Sequence, residues 1–181
     1  LFAYSSERID TGDATIDVKT NRTFENNGKW YHIVLRVDTT QATASNRVRL
    51  YVDGSEITDL ATATYPAQDA DTAFNGNVAH DIGRSNSSSQ YFDGYMAEVN
   101  FMDGQSYGPD TFGVTDTSSG QWVPKSLGSI TYGTNGFRLT FANGAGQTIG
   151  DDTSGQGNDF TVSGIGTDHI TTDSPTQNHS V

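Results

Sequence analysis

Two stretches of strict period-two alternation constrain this chain more than any other feature. From Trp30 to Asp38, Tyr31, Ile33, Leu35 and Val37 fall on one face while His32, Arg36 and Asp38 fall on the other. That is the pattern of a strand buried on one side. Val48, Leu50 and Val52 repeat it against Arg47, Arg49 and Tyr51, and the run stops at Asp53-Gly54, a dipeptide that accepts the positive φ angles of a hairpin turn. The polar stretch Thr39 to Asn46 joins the two strands, and Glu56-Ile57-Thr58 is predicted to return after the turn.

The same reading extends along the chain. Val78 to Gly83 and Tyr95 to Met102 read as a further strand pair joined by the serine-rich Ser85 to Gln90. Phe137 to Phe141 alternates again, and Asp159 to Ile165 offers a last short strand around Phe160 and Val162. Ala61 to Thr72, with Pro66, reads as loop or edge, and Thr115 to Gly120 as a polar spacer. Pro109 to Gly113 fits a single helical turn, with proline at its start and glycine past its end. Seven or eight short strands with one apolar face each imply an all-β, two-sheet antiparallel sandwich with at most that one helical turn.

Composition agrees. The 181 residues include 18 Asp, four Glu, 20 Gly and 24 Thr, residues of turns and strands. A chain of this length buries roughly 70% of its extended surface on folding, so the absence of cysteine is no obstacle. The formal charge is −12, divided as −4 over residues 1–85 and −8 over 86–181, and the ten bases are scattered. Nucleic acid is therefore not an expected partner. No apolar run reaches a membrane span, so membrane insertion is not expected, and Leu1 to Arg8 does not read as a signal peptide.

Two segments carry a likeness to a known family. Gly28-Lys29-Trp30-Tyr31-His32-Ile33-Val34-Leu35-Arg36-Val37-Asp38, followed by Val48 to Gly54, resembles the core of laminin G-like and pentraxin-like domains. Ile82-Gly83-Arg84, with Tyr91-Phe92-Asp93-Gly94-Tyr95-Met96-Ala97-Glu98-Val99, resembles a later strand of the same family. The resemblance implies a concanavalin A-like jelly roll. It gives a laminin G-like domain over 1–165, with core motifs in 28–113 and C-terminal strands in 137–165, and a polar tail or linker over 166–181.

The second half resembles a module of marine bacteriophage structural proteins at Phe101 to Gln105, Gly120 to Lys125, Tyr132 to Phe137, Asp152 to Val162 and Asp173 to Thr176. That likeness implies a fibre, spike or decoration protein on the virion surface, a trimer, whose partners are host-cell glycan or neighbouring virion subunits. Such modules have a strand ahead of the point matching Leu1, supplied either by Phe137 to Phe141 or by a preceding segment. The chain accordingly reads as part of a longer polypeptide.

Glucanases of this fold carry a Glu-x-Asp-x-(x)-Glu strand, because nucleophile and acid must stand about 5–5.5 Å apart. The nearest match here is Glu98 to Asp103, where Asn100 cannot titrate and Glu98 and Asp103 alternate to opposite faces. No enzyme is expected, and glycoside hydrolysis is the third alternative, after a decoration or oligomerisation module without a glycan ligand. His32, His80, His169 and His179 show no metal spacing, and His32 is expected to pack or hydrogen-bond on its strand. Gly144 to Gly150 lacks the Gly-Lys-Ser/Thr ending of a phosphate loop and reads as a turn.

For sugar binding the candidates are aromatic residues in or beside loops, Tyr65, Tyr107 and Trp122, whose faces stack on a pyranose ring. Tyr91 and Phe92 are assigned to the family strand and its core. No cofactor is required. Calcium is the one candidate ion, with Asp151, Asp152, Asn158 and Asp159 as oxygen donors on a tightly turning segment, although the same residues also suit a hydrogen-bonded Asx and glycine turn.

Overall fold

A computed structural model of the chain describes residues 3–4, 8–9, 16–24, 29–72, 74, 80–84 and 91–175. Among them are eleven strands: β1 (Ala3–Tyr4), β2 (Arg8–Ile9), β3 (Asp17–Thr20), β4 (Ile33–Val37), β5 (Val48–Val52), β6 (Ser55–Glu56), β7 (Leu60–Thr64), β8 (Val99–Phe101), β9 (Gly113–Thr115), β10 (Trp122–Pro124) and β11 (Phe137–Leu139). Every strand pairing is antiparallel, and the described helical segments are short 3-10 turns. The fold is all-β, as the alternation requires, and consistent with a concanavalin A-like sandwich.

The hairpin of β4 and β5 runs in unbroken register from Ile33 opposite Val52 to Val37 opposite Val48, and β6 returns on Tyr51 and Val52. Asp53 and Gly54 take φ of 50° and 80°, the two successive positive values of a type I′ turn. Because opposed residues share a face, Ile33, Leu35, Leu50 and Val52 point the same way. Leu50 and Val52 are only 2% exposed. Ile16, Val18 and Val48 form a second knot, with Leu35, Val37, Leu60, Tyr65 and Phe74 packed around it. Each such side chain removed from water contributes about 1.5–3 kcal/mol.

Arg47, expected to face solvent, fastens the loops instead. Its guanidinium donates to the carbonyls of Gln41, Ala42 and Pro66 at 2.8–2.9 Å, and Pro66 is fully buried beneath that loop. Asp38 closes the 39–46 connection by accepting from Thr40 and Gln41, and these bonds hold its carboxyl below the usual range.

Several expectations need correction. Of the two readings of Ala61 to Thr72, loop or edge, the edge holds for its start: Leu60–Thr64 is a strand on β3 in a two-stranded sheet, with a bulge between Lys19 and Thr20. Alternating Ala and Thr gives little hydrophobic contrast, and the backbone ladder, not side-chain burial, sets the strand. Thr115 is not spacer but the end of β9, which pairs with β10. A turn on Asp116 joins those strands, its carboxylate accepting from the amides of Ser118 and Ser119.

The strand expected from Tyr95 to Met102 is confined to Val99–Phe101, because Glu98 breaks extended geometry with φ of 51°. Asp159 to Ile165 forms no strand: Val162 is 38% and Ile165 54% exposed, and only Phe160 docks, edge-on to Phe137. Residues 80–83 are not strand, and 78–79 of that expected element lie outside the described residues, as do Gly28, the 85–90 loop, His179 and 176–181. Besides the expected turn at Pro109–Thr111, further 3-10 turns occur at Ala44–Asn46 and Thr167–His169.

Candidate functional site

Between the β4 hairpin and the segments that follow β7 runs a groove of about 2660 Å³, supplied mostly by residues 29–40, 92–107 and 120–127. A small-molecule pocket occupies about 300–1,000 Å³; this one has the capacity for several linked residues of a polymer. Ile33 and Leu35 of β4 and Val99 and Phe101 of β8 line it and stay half-buried. They are less buried than Leu50 and Val52, which are 2% exposed.

The groove gains its shape from Trp122. The register of β9 and β10 sets Trp122 opposite Thr115. Its six-membered ring lies over Gly54, where a Cβ would sit 2.5 Å from the ring, and its indole nitrogen side lies over Gly113 at the same distance. Only glycine leaves room at both places. The indole Nε1–H donates to His32 Nδ1 at 3.0 Å, with the two rings stacked at 5.9 Å. His32 must therefore be neutral at Nδ1. Burial pushes its pKa down and the nearby Asp53 carboxylate only partly opposes this. Asp53 accepts from the His32 amide at 2.9 Å and pairs with Lys29 at 2.8 Å, so the hairpin turn and the groove wall are one bonded unit.

Polar groups line the rest. Arg138, on β11, sends two nitrogens to the two oxygens of Glu98, each at 3.0 Å. Behind the lining, the buried Tyr132, from the connection ahead of β11, donates its hydroxyl to Asn100 at 2.8 Å, and burial raises its pKa. Asp103 accepts from the amide and the side chain of Asn135. Arg36 donates to Ser106 and stands 3.7 Å from Asp38. The two acids nearest to a glucanase pattern, Glu98 and Asp103, are thus each held by a separate partner.

Of the aromatic candidates, Trp122 and Tyr107 both line the groove, and the Tyr107 hydroxyl accepts from the Thr131 amide at 3.2 Å. Tyr65 is elsewhere, packed on the Ile16, Val18 and Val48 knot. Tyr91, assigned to the core, is 65% exposed and forms one isolated bridge with Arg84. Tyr95, which the alternation placed on a strand, lines the groove at 65% exposure, beside Phe92. Its neighbour Gly94 was the available signal, since a glycine two residues from an aromatic pair marks a loop as readily as a strand.

The four calcium candidates sit together, but their polar atoms are engaged. Asp152 accepts from the amides of Arg138, Ser154 and Asn158 at 2.8–3.0 Å and from the Ser154 hydroxyl at 2.8 Å. Burial pushes its pKa up, and those four bonds together bring it below the ordinary value. Asp159 accepts from the Asp152 amide, Asp151 from Thr148, and Asn158 donates to the carbonyls of Thr134 and Gly136. The geometry is that of a turn tied to β11. Among the described residues no group of three His, Cys, Asp or Glu is placed to hold a metal ion, and no described helix is long and apolar enough to cross a membrane.

Comparison with family models matches residues 4–106 to the model described as the concanavalin A-like lectin/glucanases superfamily. Neither the curated proteins nor the solved structures gave a match.

Proposed function

The chain belongs to the concanavalin A-like lectin/glucanases superfamily, and from that premise we propose that it is a non-catalytic adhesion module that binds a surface polysaccharide in the groove. The observation that carries this reading is the lining itself. Phe92, Tyr95, Tyr107 and Trp122 line the same groove as Asn100, Asp38 and Glu98, and rings together with hydroxyl-bonding groups are what a pyranose requires. The finer setting, a fibre, spike or decoration protein on a bacteriophage particle that meets host glycan, rests on the phage-module resemblance of residues 101–176. No cofactor enters this reading.

The test is retention of the intact chain on a panel of immobilised polysaccharides. Saturable retention is expected, weakened about tenfold, or about 1.4 kcal/mol, by Tyr95→Ala, a residue exposed enough to leave the fold intact. Retention unaffected by Tyr95→Ala and by Tyr107→Ala would overturn the groove as the site. Release of reducing sugar that disappears in Glu98→Gln would overturn the non-catalytic reading.

A second reading, contact between subunits without glycan, is favoured by one observation. Ile165 and Ile170 are 54% and 43% exposed on the strandless arm that follows Phe160, and apolar groups so placed suit a protein interface. A trimer by sedimentation that dissociates in Ile165→Ser/Ile170→Ser, with no retention on any polysaccharide, would favour it.

A further inference from the structure

We infer that the groove selects uncharged polysaccharide and rejects the same backbone when it carries carboxylate; this rests on the glycan reading above and specifies its ligand class. Seven acidic and four basic side chains line the groove. Three of the four bases are already occupied: Lys29 by Asp53 at 2.8 Å, Arg36 by Asp38 at 3.7 Å, and Arg138 by both oxygens of Glu98. An anionic sugar reaches any of these only by displacing an intramolecular carboxylate, and the displaced carboxylate then faces the ligand's own.

The surplus acids decide the sign of the field. Asp71, Asp93 and Asp173 line the groove and have no cationic partner among the described residues. Each acts on a ligand bound within a Debye length of it, about 8 Å at physiological ionic strength, in a chain whose overall charge is −12. Lys125 is the one groove base without a carboxylate partner among the described residues, outnumbered by the three unpaired acids; beyond it, what attracts a ligand is the hydroxyl group, which donates to carboxylate oxygens, and the apolar ring face, which stacks on Tyr95 and its aromatic neighbours. Both are features of neutral hexose and pentose polymers, and neither is improved by a uronate, sulfate or phosphate.

The experiment uses matched pairs, dextran, mannan and xylan against their carboxymethyl derivatives, with the intact chain and an Asp71→Asn/Asp93→Asn variant at 20 and 500 mM NaCl. For whichever neutral polymer is retained, the carboxymethyl form is expected to bind at least tenfold more weakly at 20 mM salt. That gap, taken as the ratio of the two affinities, should narrow at 500 mM, and narrow at 20 mM in the double variant. A carboxymethyl form that binds as tightly as its parent overturns the inference and leaves the glycan reading standing, and so does a gap indifferent to both salt and the double variant. Retention of no neutral and no carboxymethyl polymer overturns the glycan reading, and this inference with it.

Discussion

Replacing Asp152 by Asn tests whether the 151–159 segment is a hydrogen-bonded turn or an ion site. In the native chain Oδ1 accepts from the amides of Arg138 and Ser154, and Oδ2 accepts from the Asn158 amide and the Ser154 hydroxyl. Asparagine keeps an oxygen for the first pair but turns an NH₂ toward the Asn158 amide, so one bond is lost outright while the serine hydroxyl can rotate to accept. A hydrogen bond to a charged group contributes about 1.5–3 kcal/mol. Because the site is half-buried, the lower end applies, and Asp152→Asn should cost about 1.5 kcal/mol. At about 2–4 °C per kcal/mol for a domain of this size, Tm falls by about 3–6 °C in thermal unfolding followed by circular dichroism. Asp152→Ala, which leaves the Arg138 amide unpaired as well, should cost roughly twice as much.

The loss should be the same in 5 mM calcium and in excess chelator. A wild-type Tm that falls on chelation, with the fall abolished in Asp152→Asn, would refute the turn and establish an ion there. An Asp152→Asn variant that matches the wild type within a degree would refute the hydrogen-bonded turn without establishing an ion. The carboxyl has its pKa lowered in the folded state. Its contribution is therefore complete above the unfolded value near 3.9 and disappears as pH falls through the lower folded value.

Four further outcomes are expected. Trp122→Phe deletes the donor to His32 and its smaller ring no longer covers both Gly54 and Gly113, costing at least about 1 kcal/mol by denaturant titration. Because the His32 pKa is depressed on folding by burial, its stabilising effect is full above about pH 6.5 and lost as pH falls through the folded value; His32→Gln should flatten the fall in Tm between pH 7 and 5, and an unchanged slope would contradict this. Gly113→Ala places a methyl group 2.5 Å from the indole and should cost about 1–3 kcal/mol, with Gly54→Ala costing more because its φ is also +80°. Leu50→Ala, at a side chain only 2% exposed, should cost about 2–5 kcal/mol in chemical unfolding; a value under 1 would mean that the β5 face is not core.

Residues with strong apolar contrast declared themselves in the sequence. Ile33 to Val37, Val48 to Val52 and the Asp53-Gly54 turn were legible because a buried face and a positive-φ dipeptide each leave a local mark. The pairing of Leu60–Thr64 with β3 left none, since small side chains on an edge take their stability from backbone bonds made to residues some 40 positions away. The site was less legible. Trp122 could be named as an aromatic candidate, but its place on β10 depends on two glycines, at 54 and 113, that no local pattern connects. Tyr95 was hidden by an alternation that Glu98 interrupts, while around Asp152 residue type alone leaves an Asx turn and a cation loop both open.

The match to the family model stops at residue 106, yet the chain does not come apart there. Strand β8 finds its ladder partner only at Phe137–Leu139, His32 finds its donor at Trp122, and Phe101 stacks on Phe137 at 5.5 Å. A recombinant product ending at Ser106 would present β8 as a bare, apolar edge and leave a hollow above Gly54 where the indole belongs, inviting self-association. Homology and cooperativity draw different borders on this polypeptide, and a truncation intended to fold should follow the second.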